Sequence, residues 1–222
     1  MRHLPLSKPS LIAIIRSVRA ALLTLPVALL TALPALAHHA MGGRPIATGY
    51  EGFMSGLAHP VIGLDHCAFV VASGLVAARR PWGFVVPVAF AIAALAGTGL
   101  HLQAVDLPLL EGTIALSVLA IGVLLAWPKP LKSGLGQTVA LAIAAIVAGI
   151  FHGYAYGEAV VGVEVAPIAF YLSGFTLVQL AIALGARTLA NRLTPENAMP
   201  LRYAGFAIAG IGAAYLASAL GA

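Results

Sequence analysis

Six apolar stretches of about 20 residues follow one another along this chain, roughly at 53–78, 84–101, 107–127, 135–156, 163–186 and 201–219. Stretches of that length read as membrane-spanning helices. Helices are required because the bilayer core holds no water to satisfy an open backbone. Proline and glycine mark the connections, in Arg80-Pro81-Trp82-Gly83, Pro128-Lys129-Pro130 and Thr194-Pro195. The pattern predicts an all-α, polytopic membrane protein with six transmembrane helices, short loops and no soluble domain.

A seventh, shorter apolar run at 20–33 lies ahead of these. Arg2, Lys8, Arg16 and Arg19 precede it, and Ala35-Leu36-Ala37 follows as a small-x-small cleavage site. Residues 1–37 therefore read as a cleaved N-terminal signal peptide, with 38–222 as the membrane domain. An uncleaved first helix is the alternative, and Pro26, Pro34 and the Ala-x-Ala ending weigh against it. Composition agrees with the membrane assignment. The 222 residues are 61% hydrophobic and 9% charged, and soluble domains carry about 25% charged residues. The net charge of +5 comes mostly from the signal segment. The mature chain is near neutral, so a nucleic-acid partner has no electrostatic support. One cysteine, Cys67, excludes an internal disulfide framework.

Charge sets the expected orientation. Arg79 and Arg80 follow the first stretch, Lys129 and Lys132 the third, and Arg187, Arg192 and Arg202 the fifth. The connections near Asp106 and from Glu158 to Glu164 carry no Lys or Arg. The positive-inside rule puts the first group in the cytoplasm and both mature termini in the periplasm. A bacterial inner membrane location follows.

That orientation makes the ionisable residues informative. His59 lies ~9 Å into the first span from its outer side at ~1.5 Å per residue, and Asp65 and His66 lie ~18 Å in, near the midplane. His101 and His152 fall near the outer ends of the second and fourth spans, and His38 and His39 would begin the mature chain outside. Glu51, Asp106, Glu111, Glu158 and Glu164 sit at or near the outer face. Intramembrane ionisable residues are costly and mark a functional site by default. Two imidazoles and a carboxylate are a donor set for a divalent transition metal.

Spacing leaves the geometry open. His59 and His66 are seven residues apart, which turns ~700° and places both rings on one helix face, ~10 Å apart. Either the ion moves between two half-sites, or Pro60 and Gly63 break the helix and let the ligands converge, a recurring transporter device. A lone buried histidine is more often satisfied by a carbonyl, but three ionisable groups together outweigh that reading. In the fourth span, Gly149, Gly153 and Gly157 form a stripe that admits a close neighbour, with His152 and Tyr156 on the adjacent face. The expected neighbour is the helix carrying His59 and His66. Glu111 is either a ligand or an interfacial residue reaching for water. Cys67 and Phe90 read as packing. His38 and His39 either capture metal with the new terminal amine or form a polar tail. The last span, with Gly205, Gly210, Gly212, Ala214 and Ser218, reads as packing only.

These residues carry a resemblance. His59, then five residues, then Asp65-His66, together with Phe151-His152-Gly153 followed by Gly157 and Glu158, resembles the HupE/UreJ nickel permeases. Glu111 in Glu-Gly-Thr-Ile-Ala-Leu-Ser and Phe90 after Pro87 also match family positions. Two departures stand out: Tyr156 occupies a position where members often have a second histidine, and Glu158 falls one residue early. The resemblance implies Ni²⁺ uptake, or Co²⁺ in some relatives, serving hydrogenase or urease maturation. It adds Glu158 to the ligand set of His59, Asp65, His66, His152 and Glu111.

The leading function is a secondary permease that moves Ni²⁺ or Co²⁺ inward, with no permanently bound cofactor and with the dication and membrane lipid as partners. No nucleotide-binding Gly-x-x-x-x-Gly-Lys motif is present. The runner-up is a zinc-dependent intramembrane hydrolase using Ser55 or Ser73. Haem electron transfer is the third class. Two imidazoles on one helix face suit neither alternative.

Overall fold

The computed structural model describes residues 46–128, 133–193 and 199–221. The signal segment 1–37, His38, His39 and the 129–132 and 194–198 connections lie outside the described residues. Among the described residues there are seven α-helices, one short 3-10 turn and no strand: α1 Gly49–Ile62, α2 Leu64–Val76, α3 Val85–Leu102, α4 Leu110–Ala126, α5 Leu135–Gly157, the turn Glu158–Val160, α6 Val165–Asn191 and α7 Met199–Ala219.

The first apolar stretch is two helices rather than one. α1 opens on a capping box, in which Thr48 Oγ1 accepts from Glu51 N at 3.2 Å and Glu51 Oε2 accepts from Thr48 N at 3.1 Å. It ends at Gly63, and α2 leaves at 81° to it. Pro60 in the last turn of α1 cannot donate to the ladder. Gly63 sits at φ −71° and ψ 104°, which any residue can adopt, so its need for glycine is steric. A Cβ there would stand 2.7 Å from His66 Cδ2.

The bent pair is a broken span rather than a re-entrant loop, because it follows α6 from end to end. Gly52 packs on the Pro167 carbonyl and Gly74 on the Ala183 carbonyl. Past the end of α2, the Arg79 backbone N–H donates to Asn191 Oδ1 at 2.7 Å. Between Pro167 and Asn191 an α-helix rises ~36 Å, enough to cross a ~30 Å core. Counting this pair once, four spans among the described residues are long and apolar enough to cross a membrane. The expectation of six meets two departures. α4 is apolar but has only 17 residues, because Leu109 at φ 55° ends the irregular approach and delays the helix start. α7 has 21 residues, but Arg202, Tyr203 and several glycines lower its apolar content.

Three helix pairs pack most extensively: α3 with α5, α4 with α7 and α1 with α6. In each, small residues bring backbones into contact: Gly153 against Ala94, Gly212 against Leu119, and Gly56 against Tyr171. Small residues serve this purpose in lipid, where packing and not water exclusion draws helices together. The glycine stripe of α5 thus docks on α3, and not on the helix that carries His66. α2 is the central element, touching α1, α3, α4, α6 and α7. The main core cluster, with Phe69, Val70, Phe90, Val118, Ala148 and Ala183, surrounds it.

Candidate functional site

The break at Gly63 puts Asp65 and His66 in the first turn of α2, deep in the bundle. Asp65 is 6% exposed and His66 is 7% exposed. Asp65 Oδ1 accepts the His66 backbone N–H at 2.9 Å, so the carboxylate satisfies one of the N–H groups that the break frees. A carboxylate there also suits the positive end of the α2 dipole.

His152 comes from α5 and is fully buried. Its Nδ1 faces His66 Nδ1 at 2.8 Å, and its Nε2 lies 2.9 Å from Ser117 Oγ. The tautomers follow from one carbonyl. Ser117 Oγ donates to the Ile114 carbonyl at 2.7 Å, so its only proton is committed. His152 Nε2–H must therefore donate to Ser117 Oγ, leaving His152 Nδ1 as a lone pair that accepts from His66 Nδ1–H. Phe69 and Phe90 close the other sides of the His152 ring at centroid distances of 4.8 and 5.5 Å. The two facing nitrogens mark where a dication would displace a proton. First-row metal–imidazole distances of ~2.0–2.1 Å require only a small parting of the rings.

His59 does not join this pair. It stands in the last turn of α1, buried, with Nδ1 2.8 Å from the Tyr171 hydroxyl. Tyr171 OH donates to the Tyr156 carbonyl at 3.2 Å. A carbonyl only accepts, so both bonds hold when His59 Nδ1 carries the proton and donates to Tyr171. This orients the imidazole through its other nitrogen, as partners of metal-binding histidines commonly do. Tyr156 lies against both histidines, with ring centroids 4.9 Å from His59 and 4.4 Å from His66. The structure therefore combines the two geometries that the spacing left open. The span is broken, yet the histidines remain two groups, His59 on one side and His66 with His152 on the other.

Other expected residues lie apart. Glu111 is exposed in the first turn of α4, and Glu158 is exposed where the 3-10 turn begins. Tyr215 of α7 is within electrostatic reach of both Asp65 and Glu111. Cys67 is part-buried and forms no disulfide. His101 packs on Tyr154 at 4.5 Å, one edge of the α3–α5 seam. Among the described residues, no three His, Cys, Asp or Glu side chains group closely enough to hold a metal ion. Ser117 and Tyr171 join the site with no signal of their own in the sequence. Tyr156, four residues after His152, carried a positional signal.

Comparison with known proteins decides the family. The family model described as HupE / UreJ protein matches residues 25–215. The chain belongs to the HupE/UreJ family. Protein HupE of Rhizobium leguminosarum bv. viciae is 33% identical over 193 residues, covering 83% of this chain and 92% of that protein. No solved structure matches. HupE/UreJ proteins are membrane transporters associated with nickel and cobalt, and not enzymes, so the hydrolase alternative has no support.

Proposed function

We propose that this HupE/UreJ protein is a secondary permease that carries Ni²⁺ or Co²⁺ from periplasm to cytoplasm across the bacterial inner membrane, through His59, Asp65, His66 and His152. The observation that carries the proposal is the buried His66–His152 pair, with nitrogens 2.8 Å apart beside Asp65 just past the break in the span. Two nitrogen donors and one nearby carboxylate are enough to attract a borderline dication and too few to trap it. Two separated histidine groups favour a stepwise passage.

The driving force for such a permease is external. A 2+ ion moving inward gains ~4.6 kcal/mol per 100 mV of membrane potential at ~2.3 kcal/mol per charge. In this reading α4 and α7 complete six crossings, and residues 1–37 are a removed signal. Exposed apolar side chains such as Ile143, Val147, Phe170 and Leu177 face lipid. Glu111, Glu158, His38 and His39 gather metal at the outer face.

Two measurements test this function. Cells expressing the protein accumulate ⁶³Ni²⁺, and excess Co²⁺ suppresses that accumulation while excess Mg²⁺ does not. Expression without accumulation refutes the reading. For orientation, an alkaline phosphatase fusion after Ala222 is active and one placed between residues 129 and 132 is inactive. The opposite pattern reverses the direction of the ligand trail.

A further inference from the structure

Tyr156 is the residue in the site whose chemistry the histidine pairs leave unused. Its side chain is completely buried, yet its hydroxyl makes no hydrogen bond among the described residues. An unsatisfied buried hydroxyl costs about 1–3 kcal/mol, and such groups call for an explanation. The ring itself is fixed. Phe175 meets it edge-on at 4.6 Å, and the Tyr171 hydroxyl holds its backbone carbonyl at 3.2 Å. Around it stand His59 on one side and His66 on the other. Asp65 and Cys67 lie within electrostatic reach. The surroundings are therefore rich in lone pairs and negative charge, and the carboxylate does not come close enough to take the phenolic proton.

We propose that the Tyr156 hydroxyl is a direct oxygen ligand to the travelling dication, at the step where it passes from His59 to the His66–His152 pair. This rests on the permease reading and adds to it a specific donor atom, carried on a ring that contacts both histidine groups. A rigid phenol that contacts both imidazole rings bridges the gap that His59 and His66 leave when they fail to converge. As a neutral oxygen it binds a borderline dication more weakly than an imidazole does, which suits a position that the ion must leave. Tyr156→Phe isolates this role, because it keeps the ring and its three aromatic contacts and removes one oxygen atom.

The test uses the full-length protein in detergent, titrated with Co²⁺ alone, whose visible absorption bands report the number and type of donors. Wild-type protein gives a bound Co²⁺ spectrum. Tyr156→Phe gives a shifted spectrum and about tenfold weaker Co²⁺ binding, the scale of one lost neutral ligand contact, with ⁶³Ni²⁺ uptake in cells reduced to match. Tyr156→His, which supplies a nitrogen in place of the oxygen, restores affinity with a spectrum of more nitrogen character. A Tyr156→Phe protein with the wild-type spectrum and affinity overturns the inference. Should Tyr156→Phe fail to elute as the wild type does, Tyr156→His decides alone: a changed Co²⁺ spectrum supports direct ligation and an unchanged one refutes it. Wild-type protein that binds no Co²⁺ defeats the permease site and this inference together. A binding wild type with an indifferent Phe variant defeats the tyrosine role alone.

Discussion

Asp65→Asn lowers ⁶³Ni²⁺ uptake by at least about a hundredfold while the protein remains in the membrane at wild-type abundance. The substitution is sharp because it changes charge and little else. Asp65 Oδ1 accepts the His66 N–H at 2.9 Å, and the carbonyl oxygen of an asparagine accepts the same bond. The start of α2 and the His66 ring therefore keep their places. What disappears is the negative charge beside the paired imidazoles. A dication ~5 Å from a carboxylate gains roughly 7 kcal/mol at an effective dielectric of ~20, so losing even half of that exceeds a hundredfold. Two neutral imidazoles cannot replace it. Near-normal uptake by Asp65→Asn at equal abundance shows that the ion does not pass close to this carboxylate.

The helices and the break were legible in the sequence, and their neighbours were not. Hydropathy places α3, α5 and α7 within two residues of their observed ends, because an apolar run of spanning length has few other fates. Pro60 and Gly63 signal a possible break through lost backbone donation and lost side-chain bulk, and the chain does bend there by 81°. A glycine stripe is different. It announces a close approach without saying to what, and the α5 stripe meets α3 rather than the helix that carries His66. Aromatic residues mislead in a similar way. Tyr171 is 112 residues from His59, and in a lipid-buried helix a tyrosine has the same periodic signature as a packing phenylalanine. Only the fold shows that its hydroxyl holds an imidazole. The same limit applies to Ser117, whose role depends on the Ile114 carbonyl taking its proton.

The docking of α5 on α3 leads to the second large effect. Gly153→Leu abolishes uptake nearly as completely as His152→Ala does, although it alters no ligand. A Cβ at Gly153 would overlap the Ala94 backbone, and backbone cannot rotate aside as a side chain can. The seam is also pinned at this point, since Thr98 Oγ1 reaches the Gly153 carbonyl at 2.7 Å and the Ala94 carbonyl at 3.1 Å. A leucine there forces α3 and α5 apart by a few ångströms. His152 is the next residue in α5, so it moves with the helix. Its Nδ1 then leaves the 2.8 Å contact with His66, whereas metal sites tolerate deviations of only about 0.2 Å. Ser117 on α4 and His66 on α2 stay where they are, so the pair opens on one side only. Thr98→Val separates the two contributions, removing the hydroxyl bridge without forcing the backbones apart, and reduces uptake several-fold at most. If Gly153→Leu inserts at normal abundance and transports at the wild-type rate, the position of His152 relative to His66 does not limit transport, and the paired imidazoles lose their place in the path.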